Sequence, residues 1–356
     1  MQEISVSREE SGQRLDKFLR RRLPLAPSSF IYKMLRKKNI TLRGKKADGS
    51  EKVETGDSVR LFLSEETILR FSPPRDREEA AREAEEAERA YRSLQPLLGP
   101  SPVLYEDSNI LVVRKPSGVL SQKADRADLS MNEWLRGYLA HRSGDSRQDA
   151  AESVLFRPSV CNRLDRNTGG ILLCAKTLPG SRALSAVIRD RIIRKTYTMV
   201  VHGRVSQEGV IDNELVKDRG QNQVRVADGE SAGPDLLRRH AVTVYRPVKA
   251  GKRASLVEAD LITGRSHQLR VHMASIGHPI VSDPKYGDRS LDRALLRRMP
   301  DRRSGQLLWC SEVFFPETFP ESVHAAGIRE VLQPVAGRVF SCPPPGWWGD
   351  LCGTEQ

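Results

Sequence analysis

The sequence predicts an α+β protein in which a small domain precedes a larger one. Two segments predict strands, because residues 171–175 form an apolar run after a turn and residues 195–201 alternate in polarity before becoming apolar. The segment 263–273 predicts a helix, with apolar residues at helical spacing and Ser266 suited to cap its first turn. With 356 residues, the chain has room for both domains.

Residues 1–65 predict a compact αβ domain. Short strands are expected around 40–42 and 59–63, after two amphipathic helices. The apolar faces of these helices consist of Leu15, Phe18 and Leu19, and of Ile31, Met34 and Leu35. The segment holds 15 Lys and Arg against 9 Asp and Glu, half of the chain's net charge of +12. Such an excess favours a polyanionic partner through neutralisation of phosphates.

The remaining chain divides by composition. Residues 66–100 predict a charged linker, whose centre is a solvated helix rich in Glu, Ala and Arg. The larger domain is expected over residues 101–325. A proline-rich tail, residues 326–356, predicts no regular structure, and its two neighbouring tryptophans are expected to dock on the domain because exposed tryptophans reduce solubility.

The loop before the 171–175 strand is the strongest candidate for a catalytic site. Residues 168–170, Thr-Gly-Gly, permit a sharp turn that holds Asp165 at the mouth of a sheet. Arg163 and Arg166 flank this carboxylate and favour its charged form. An ionised carboxylate on a rigid element can act as a nucleophile or a base. A surface Arg–Asp ion pair is the alternative for the tripeptide taken alone.

Three segments in the larger domain carry a family resemblance. They read Arg163-Leu164-Asp165, then Lys195-Thr196-Tyr197, then Gly264-Arg265-Ser266-His267-Gln268-Leu269-Arg270-Val271-His272 followed by Pro279-Ile280 and Asp283-Pro284-Lys285-Tyr286-Gly287. In this order they resemble the RluA-like pseudouridine synthases, which modify large ribosomal RNA. The segments 104–107 and 112–118 are similar to the opening strand pair of that family. Asn162 stands where the family usually has His, Gly169 where it has Ser, and Ser282 where it has Gly.

The resemblance implies a mixed, mainly antiparallel sheet flanked by helices, and an isomerase that converts uridine to pseudouridine in RNA. The nucleotide would be flipped out of its stack into the pocket. Asp165 would be the nucleophile or base, acting on the sugar, on the uracil or on a ribose proton. Tyr197 would stack on the flipped base and assist proton transfer, and Arg270 would pair with Asp165. Arg163 would fill the space of the flipped base or brace the phosphates.

The N-terminal segment resembles the RNA-binding domain shared with ribosomal protein S-four, through residues 14–19 and 39–44. The residues expected to contact RNA are Arg36, Lys37, Lys38, Arg43, Arg265 and His267. This domain favours 23S ribosomal RNA as the partner over transfer RNA. A catalytically silent RNA-binding or ribosome-assembly factor, a synthase acting on transfer RNA, and an RNA N-glycosylase that stops after bond cleavage remain alternatives.

Other features of the sequence exclude several classes. Five cysteines without a Cys-x-x-Cys pair argue against a disulfide scaffold and a zinc site. The sequence contains no GxGxxG or Walker motif, and the isomerisation consumes no donor, so we expect no cofactor and no metal. No apolar run approaches the length of a membrane span. We therefore expect a cytoplasmic protein without a membrane contact, and a monomer.

Overall fold

The computed structural model divides into two compact units, residues 1–83 and 84–356. The residues that it describes are 2–6, 11–71, 77–125, 127–143, 157–218, 223–227, 238–296, 305–320 and 328–353. Within these ranges, no helix combines the length and the hydropathy needed to cross a membrane.

The first unit packs three helices against a small antiparallel sheet of strand order β1-β4-β2-β3. Its elements are β1 (Gln2–Ser5), α1 (Leu15–Arg22), α2 (Ser28–Arg36), β2 (Ile40–Leu42), β3 (Lys45–Lys46), β4 (Ser58–Leu61) and α3 (Glu65–Phe71). The apolar faces expected for the two helices are buried in its core, which confirms both helices. The unit extends past residue 65, because Ile68 is buried and the Phe71 ring lies 4.5 Å from that of Phe30.

The helix expected within residues 66–100 is present as α4 (Arg77–Leu98). Ala87, Ala90, Leu94 and Leu98 are buried, and the last two belong to the main core of the second unit. Gln95 Oε1 accepts a hydrogen bond from the Trp134 indole at 3.1 Å. The prediction of a linker is therefore corrected. The segment has mostly charged residues, but one row of apolar residues along the helix packs into the second unit.

The second unit is built on one large sheet. Its strands are β5 (Val103–Glu106), β6 (Ile110–Lys115), β7 (Ser159–Val160), β8 (Gly169–Ala175), β9 (Arg194–His202), β10 (Gly209–Asp218), β11 (Gln223–Val226), β12 (Arg238–Ala250), β13 (Ala254–Leu261), β14 (Leu308–Phe314) and β15 (Val339–Ser341). Its further helices are α5 (Met131–Ser143), α6 (Leu178–Arg189), α7 (Gln268–Ser275), α8 (Arg289–Leu296), α9 (Ile328–Leu332) with a 3-10 turn (Gln333–Val335), and α10 (Trp347–Leu351).

The strand order is β11-β10-β12-β13-β9-β14-β8-β6-β5, with β7 beside β8 and β15 beside β14. All described pairings are antiparallel except β8–β14. Every residue of β8 is buried, as expected for the 171–175 run, and β9 contains the predicted strand 195–201. The α+β class with a mixed, mainly antiparallel sheet is confirmed.

The C-terminal tail has regular structure, which corrects the prediction for residues 326–356. Strand β15 extends the sheet by pairing with β14, and Trp348 in α10 is buried against Trp309 with ring centroids 6.4 Å apart. Lys249 donates to the carbonyl of Gly349 at 2.8 Å. The tryptophans dock as predicted. The prediction failed because Pro343, Pro344 and Pro345 lie between β15 and α10, and because Pro334 lies at the start of the 3-10 turn, where proline is tolerated.

Candidate active site

Asp165 lies in a tight turn that leads into β8, closed by the amide of Thr168 donating to the Asp165 carbonyl at 3.1 Å. The segment after β6 holds this turn in place. The buried Ser121 hydroxyl donates to the Leu164 carbonyl at 2.9 Å and accepts the Leu164 amide at 3.0 Å. Ser117 donates to the carbonyl of Asn167 at 2.8 Å. The loop that carries the carboxylate is thus fixed on both sides of Asp165.

Lys115 is fully buried directly beneath this loop. Its ammonium donates to the carbonyls of Pro116 at 3.1 Å, Val119 at 2.5 Å and Arg166 at 3.0 Å. Burial lowers the pKa of Lys115 to about 7, while the charge of Asp165 acts in the opposite direction. Because its three protons are satisfied by carbonyls, Lys115 serves to tie the strand end to the catalytic loop.

Two departures from the family pattern have structural reasons. The Asn162 amide donates to the Ile171 carbonyl at 3.2 Å and accepts the Leu173 amide at 2.7 Å, so one side chain satisfies two groups of β8. At position 169, a Cβ atom would overlap the Trp309 ring, and at Gly170 it would overlap the backbone of Cys310. Gly170 also has a φ of +109°. The glycine pair therefore lets β14 approach the start of β8.

Arg270 binds two carboxylates at once and joins the catalytic loop to α7. Its Nη1 donates to Asp165 Oδ2 at 2.8 Å, while Nε and Nη2 donate to the two oxygens of Asp283 at 2.7 and 2.8 Å. The Asp283 side chain is fully buried and that of Arg270 is 6% exposed, whereas that of Asp165 is 35% exposed. Burial alone would raise the pKa of Asp283, but the bonds from Arg270 hold it below its usual value. We call Asp165, Arg270 and Asp283 the floor.

Tyr197 in β9 lines the same cavity and is 6% exposed. Burial raises the pKa of Tyr197 well above its usual value, and the neighbouring Cys310 and Asp165 add to the effect. The phenol therefore remains protonated at neutral pH and can donate a proton or a hydrogen bond. Lys195, two residues earlier on β9, also lines the cavity, and burial lowers its pKa.

The cavity encloses about 320 Å³. Its lining comes from the catalytic loop, β9 and the start of α7, and includes Arg163, Asp165, Tyr197, Arg265, His267 and Arg270. The structure thus brings together all four predicted catalytic residues. The volume lies near the lower end of the range for ligand pockets and suits one nucleotide base with its ribose.

Four arginines without described acidic partners lie in the cavity lining or near it. Arg163 and Arg265 line the cavity, and Arg265 Nε donates to the His240 carbonyl at 3.0 Å. Burial lowers the pKa of Arg265, as do the nearby guanidiniums of Arg191 and Arg239. We call these four arginines the rim. In the part of the chain that the structure describes, none of them forms an ion pair with a carboxylate, so the rim has an uncompensated positive charge.

The start of α7 differs from the prediction. The helix begins at Gln268, and His267 precedes it in the left-handed region with φ 55°, making no side-chain cap. Ser266 is therefore not the cap. Gln268 Oε1 instead accepts from the Thr263 hydroxyl at 2.7 Å and from the Arg265 amide at 3.0 Å. The glutamine side chain thus fixes the segment before the helix and does not cap the helix itself.

The remaining predicted RNA contacts lie in the first unit. Arg36, Lys37 and Lys38 are exposed at the end of α2, with no described ion pair. Arg43 differs, because its guanidinium donates to both oxygens of Asp57 at 2.6 and 2.8 Å and lies 3.4 Å from Glu54. The charge of Arg43 is therefore largely compensated within its own unit.

Sequence reasoning missed several supporting residues. Lys115, Ser121 and Asn162 support the loop, whereas Asp283 and Tyr286 contact residues of α7 and the residue before it. Asp283 and Tyr286 could have been found, because both belong to the segment that resembles the family. Ser121 could not have been found from the sequence, because a buried serine that binds a loop 43 residues away has no local sequence pattern.

Comparison with known proteins agrees with this site. Residues 109–275 match the RNA pseudouridylate synthase family. The ribosomal large subunit pseudouridine synthase C of Escherichia coli K12 is 33% identical over 295 residues, which cover 82% of each chain. That of Rickettsia felis is 30% identical over 282 residues, covering 79% of this chain and 83% of the relative.

The fold agrees as well. The solved structure of human RNA pseudouridylate synthase domain containing 4 aligns with a TM-score of 0.51 at 19% identity, covering 76% of this chain and 96% of that one. The identity over most of both bacterial chains, together with the family match across the Asp165 loop, Tyr197 and Arg270, shows that this protein belongs to the RNA pseudouridylate synthases and is an isomerase.

Proposed function

We propose that this protein isomerises uridines in the RNA of the large ribosomal subunit, with Asp165 as the catalytic carboxylate. One observation carries the proposal: Asp165 is fixed by Arg270 at the bottom of a cavity large enough for a base, with Tyr197 in the wall. The target class rests on the relatives, which are named as large-subunit synthases.

The reaction breaks the bond from ribose C1′ to N1 of uracil and forms a bond from C1′ to C5. The Asp165 carboxylate is paired with Arg270 through Oδ2 alone, and Oδ1 has no hydrogen-bond partner among the described residues. Oδ1 therefore takes part in the chemistry, as a nucleophile towards the sugar or the base or as a base towards a ribose proton. The base then rotates so that C5 faces C1′. After the new bond has formed, C5 loses its proton and N1, released from the ribose, takes one up, so the product is an isomer of the substrate.

Tyr197 supports the later part of this sequence. Its ring provides a flat apolar surface for the flipped uracil, and its hydroxyl lies in a wall where burial keeps it protonated. Buried aromatic surface stabilises a base that has left its stack, which offsets part of the cost of flipping. Because the hydroxyl keeps its own proton, it is placed to assist proton transfer from C5 by donating a hydrogen bond to the uracil.

The RNA backbone is assigned to the positive surfaces. The rim provides two guanidiniums in the cavity lining, those of Arg163 and Arg265, and two more near Arg265, which could meet phosphates on either side of a flipped nucleotide. In the first unit, Arg36, Lys37 and Lys38 provide a second set of unpaired cations. Residues 1–83 therefore contribute affinity and target choice, and the cavity contributes the chemistry.

The experiment uses the full chain and RNA labelled with tritium at C5 of uridine. Release of tritium from a large-subunit transcript, followed by mapping of the carbodiimide-reactive site, would support the proposal. Release from transfer RNA alone would reject the target. Binding without release would indicate a silent RNA-binding or assembly factor, and free uracil in place of pseudouridine would indicate an N-glycosylase.

A further inference from the structure

His267 lies between the catalytic carboxylate and a tyrosine. Its Nε2 is 3.9 Å from Asp165 Oδ2, the same oxygen that Arg270 binds, and its Nδ1 is 2.8 Å from the hydroxyl oxygen of Tyr286. The Tyr286 hydroxyl also accepts the backbone amide of Val224, in β11, at 2.9 Å. One continuous chain of polar contacts thus connects the β10–β11 hairpin to Asp165.

The positions of the protons follow from this arrangement. The Tyr286 oxygen already accepts the Val224 amide, so its own proton is available for a second partner, and His267 Nδ1 is within reach. If Tyr286 donates to Nδ1, the neutral imidazole carries its proton on Nε2. That proton then faces the anionic Asp165, whereas the opposite tautomer would direct a lone pair at the carboxylate.

The charged groups around His267 keep the ring neutral. Burial lowers the pKa of His267, Asp165 raises it, and Arg270 and Lys285 lower it again, with a smaller opposing effect from Asp283. Burial raises the pKa of Tyr286, so its hydroxyl keeps the proton that it donates. The Tyr286 ring is itself held, because the Arg270 guanidinium carbon lies 5.0 Å from the ring centroid.

We infer that Tyr286 is a positioning residue that fixes the tautomer of His267, so that the Nε2–H of His267 and the guanidinium of Arg270 both face Oδ2 of Asp165. Arg270 donates the direct hydrogen bond to Oδ2, and the Nε2–H of His267, 3.9 Å away, adds a weaker charge–dipole attraction to the same oxygen; together they favour the carboxylate orientation that leaves Oδ1 for the substrate. His267 therefore acts at the carboxylate rather than only at the RNA backbone. The kinetic consequence rests on the proposed function; the tautomer does not.

The test combines nitrogen NMR with kinetics on the full chain. Imidazole spectra of protein labelled with ¹⁵N-histidine distinguish the two neutral tautomers, and the His267 signals are those lost in His267→Gln. We expect the Nε2–H form in the native protein. Tyr286→Phe keeps the ring over Arg270 and removes only the hydroxyl. Nδ1 then becomes free to accept a proton, so the pKa of His267 rises and turnover falls about tenfold.

Matched variants separate positioning from folding. His267→Gln places an amide donor near the Nε2 position and should retain more turnover than His267→Asn, whose amide is shorter and reaches the Nδ1 position. Tyr105→Phe is the control, because it removes a half-buried hydroxyl that donates to Asp107 at 2.8 Å, outside the cavity lining. It should leave the His267 spectrum and turnover unchanged.

A native Nδ1–H tautomer would overturn the inference, as would a Tyr286→Phe variant with unchanged turnover or an unchanged pKa of His267. A native protein that shows the Nε2–H tautomer but isomerises no RNA would leave the inference standing and reject the proposed function. The two failures are therefore distinguishable.

Discussion

Arg270 and the rim arginines carry the same guanidinium in opposite surroundings. Arg270 is buried and satisfied by two carboxylates, one of which is fully buried. Arg163, Arg191 and Arg239 are exposed, and no described carboxylate pairs with them. An arginine whose charge is compensated by carboxylates can orient those neighbours but attracts a distant polyanion only weakly. An arginine without an acidic partner attracts a polyanion over distance but holds no neighbour in place. The comparison leads to the prediction that the floor orients the carboxylate proposed for catalysis, whereas the rim recruits the RNA.

The largest effect is expected on the floor, from Asp165→Asn. The amide is of the same size but is neither a nucleophile nor a base, so tritium release should fall below detection. RNA affinity should stay within about twofold, because binding comes from distributed phosphate contacts. Filter binding and tritium release on the same preparation test both parts. Asp190→Asn is the control, because Asp190 is exposed and paired with Arg189. Appreciable turnover by the Asp165 variant would show that Asp165 is not the catalytic carboxylate.

The next effect is on stability, from Arg270→Met. Removing Arg270 leaves Asp283 buried and unpaired, which should cost about 3–5 kcal/mol in the free energy of unfolding. The control Arg246→Met breaks exposed pairs with Glu258 and Asp260 and should cost under about 1 kcal/mol. Denaturant titration of both variants checks the difference, and equal costs would show that the floor is not a buried ion network.

The same variant has a pH dependence of known sign. In the native protein the pKa of Asp283 is depressed, so its contribution to stability is fully present above the unfolded value of about 4 and is lost as pH falls through the folded value. Without Arg270, burial raises the pKa of Asp283 in the variant, so the difference between native protein and Arg270→Met should begin to shrink above about pH 4, and it should shrink further as pH falls through the folded value of the native protein. A gap that is constant down to acid unfolding would contradict this assignment.

On the rim, Arg191→Gln and Arg239→Gln should weaken RNA binding and raise KM more than they lower kcat. Each lost phosphate contact should make the slope of log K against log salt shallower by about 1. Arg189→Gln is the matched control, two residues from Arg191 and exposed, but paired with Asp190 at 2.7 Å. Identical salt slopes for all three variants would show that the rim does not contact phosphates.

The smallest effect is expected in the first unit, from the double change Lys37→Gln and Lys38→Gln. Both ammoniums are exposed and unpaired, so the salt slope should fall by about 1 for each phosphate lost, without a change in chemistry on a short stem–loop. Arg43→Gln is the control, because its charge is already compensated by Asp57 and Glu54. A larger loss from Arg43 than from the lysines would reverse the assignment. Substitution is preferable to deletion up to residue 100, which would remove Leu94 and Leu98 from the core of the second unit.

Elements with their own local pattern could be predicted from the sequence, whereas contacts between residues far apart along the chain could not. The buried strand at 171–175, the strand with Tyr197 and the helix with Arg270 were predictable because each has its own periodicity. The packing of α4 could not be predicted, because its four buried apolar residues are scattered among many charged ones. Only the folded structure shows that this side of the helix packs beside Trp134. For the same reason Lys115 and Ser121 were missed. Lys115 joins two nearby carbonyls to that of Arg166, 51 residues away, and Ser121 binds the carbonyl and amide of Leu164, 43 residues away. The pairing of Arg270 with Asp165 was predictable only through the family resemblance.

The packing of Trp309 against Gly169 couples the side chains that these two distant positions can hold. The indole fills the volume that a side chain at 169 would need, and it is held by the Cys342 carbonyl at 2.7 Å and by Trp348 of the tail. A serine at 169, the residue expected there from the family resemblance, would therefore overlap the indole unless the residue at 309 were smaller. The side chains at these two positions are thus coupled, so both should be exchanged together when segments of this protein are recombined with those of another synthase.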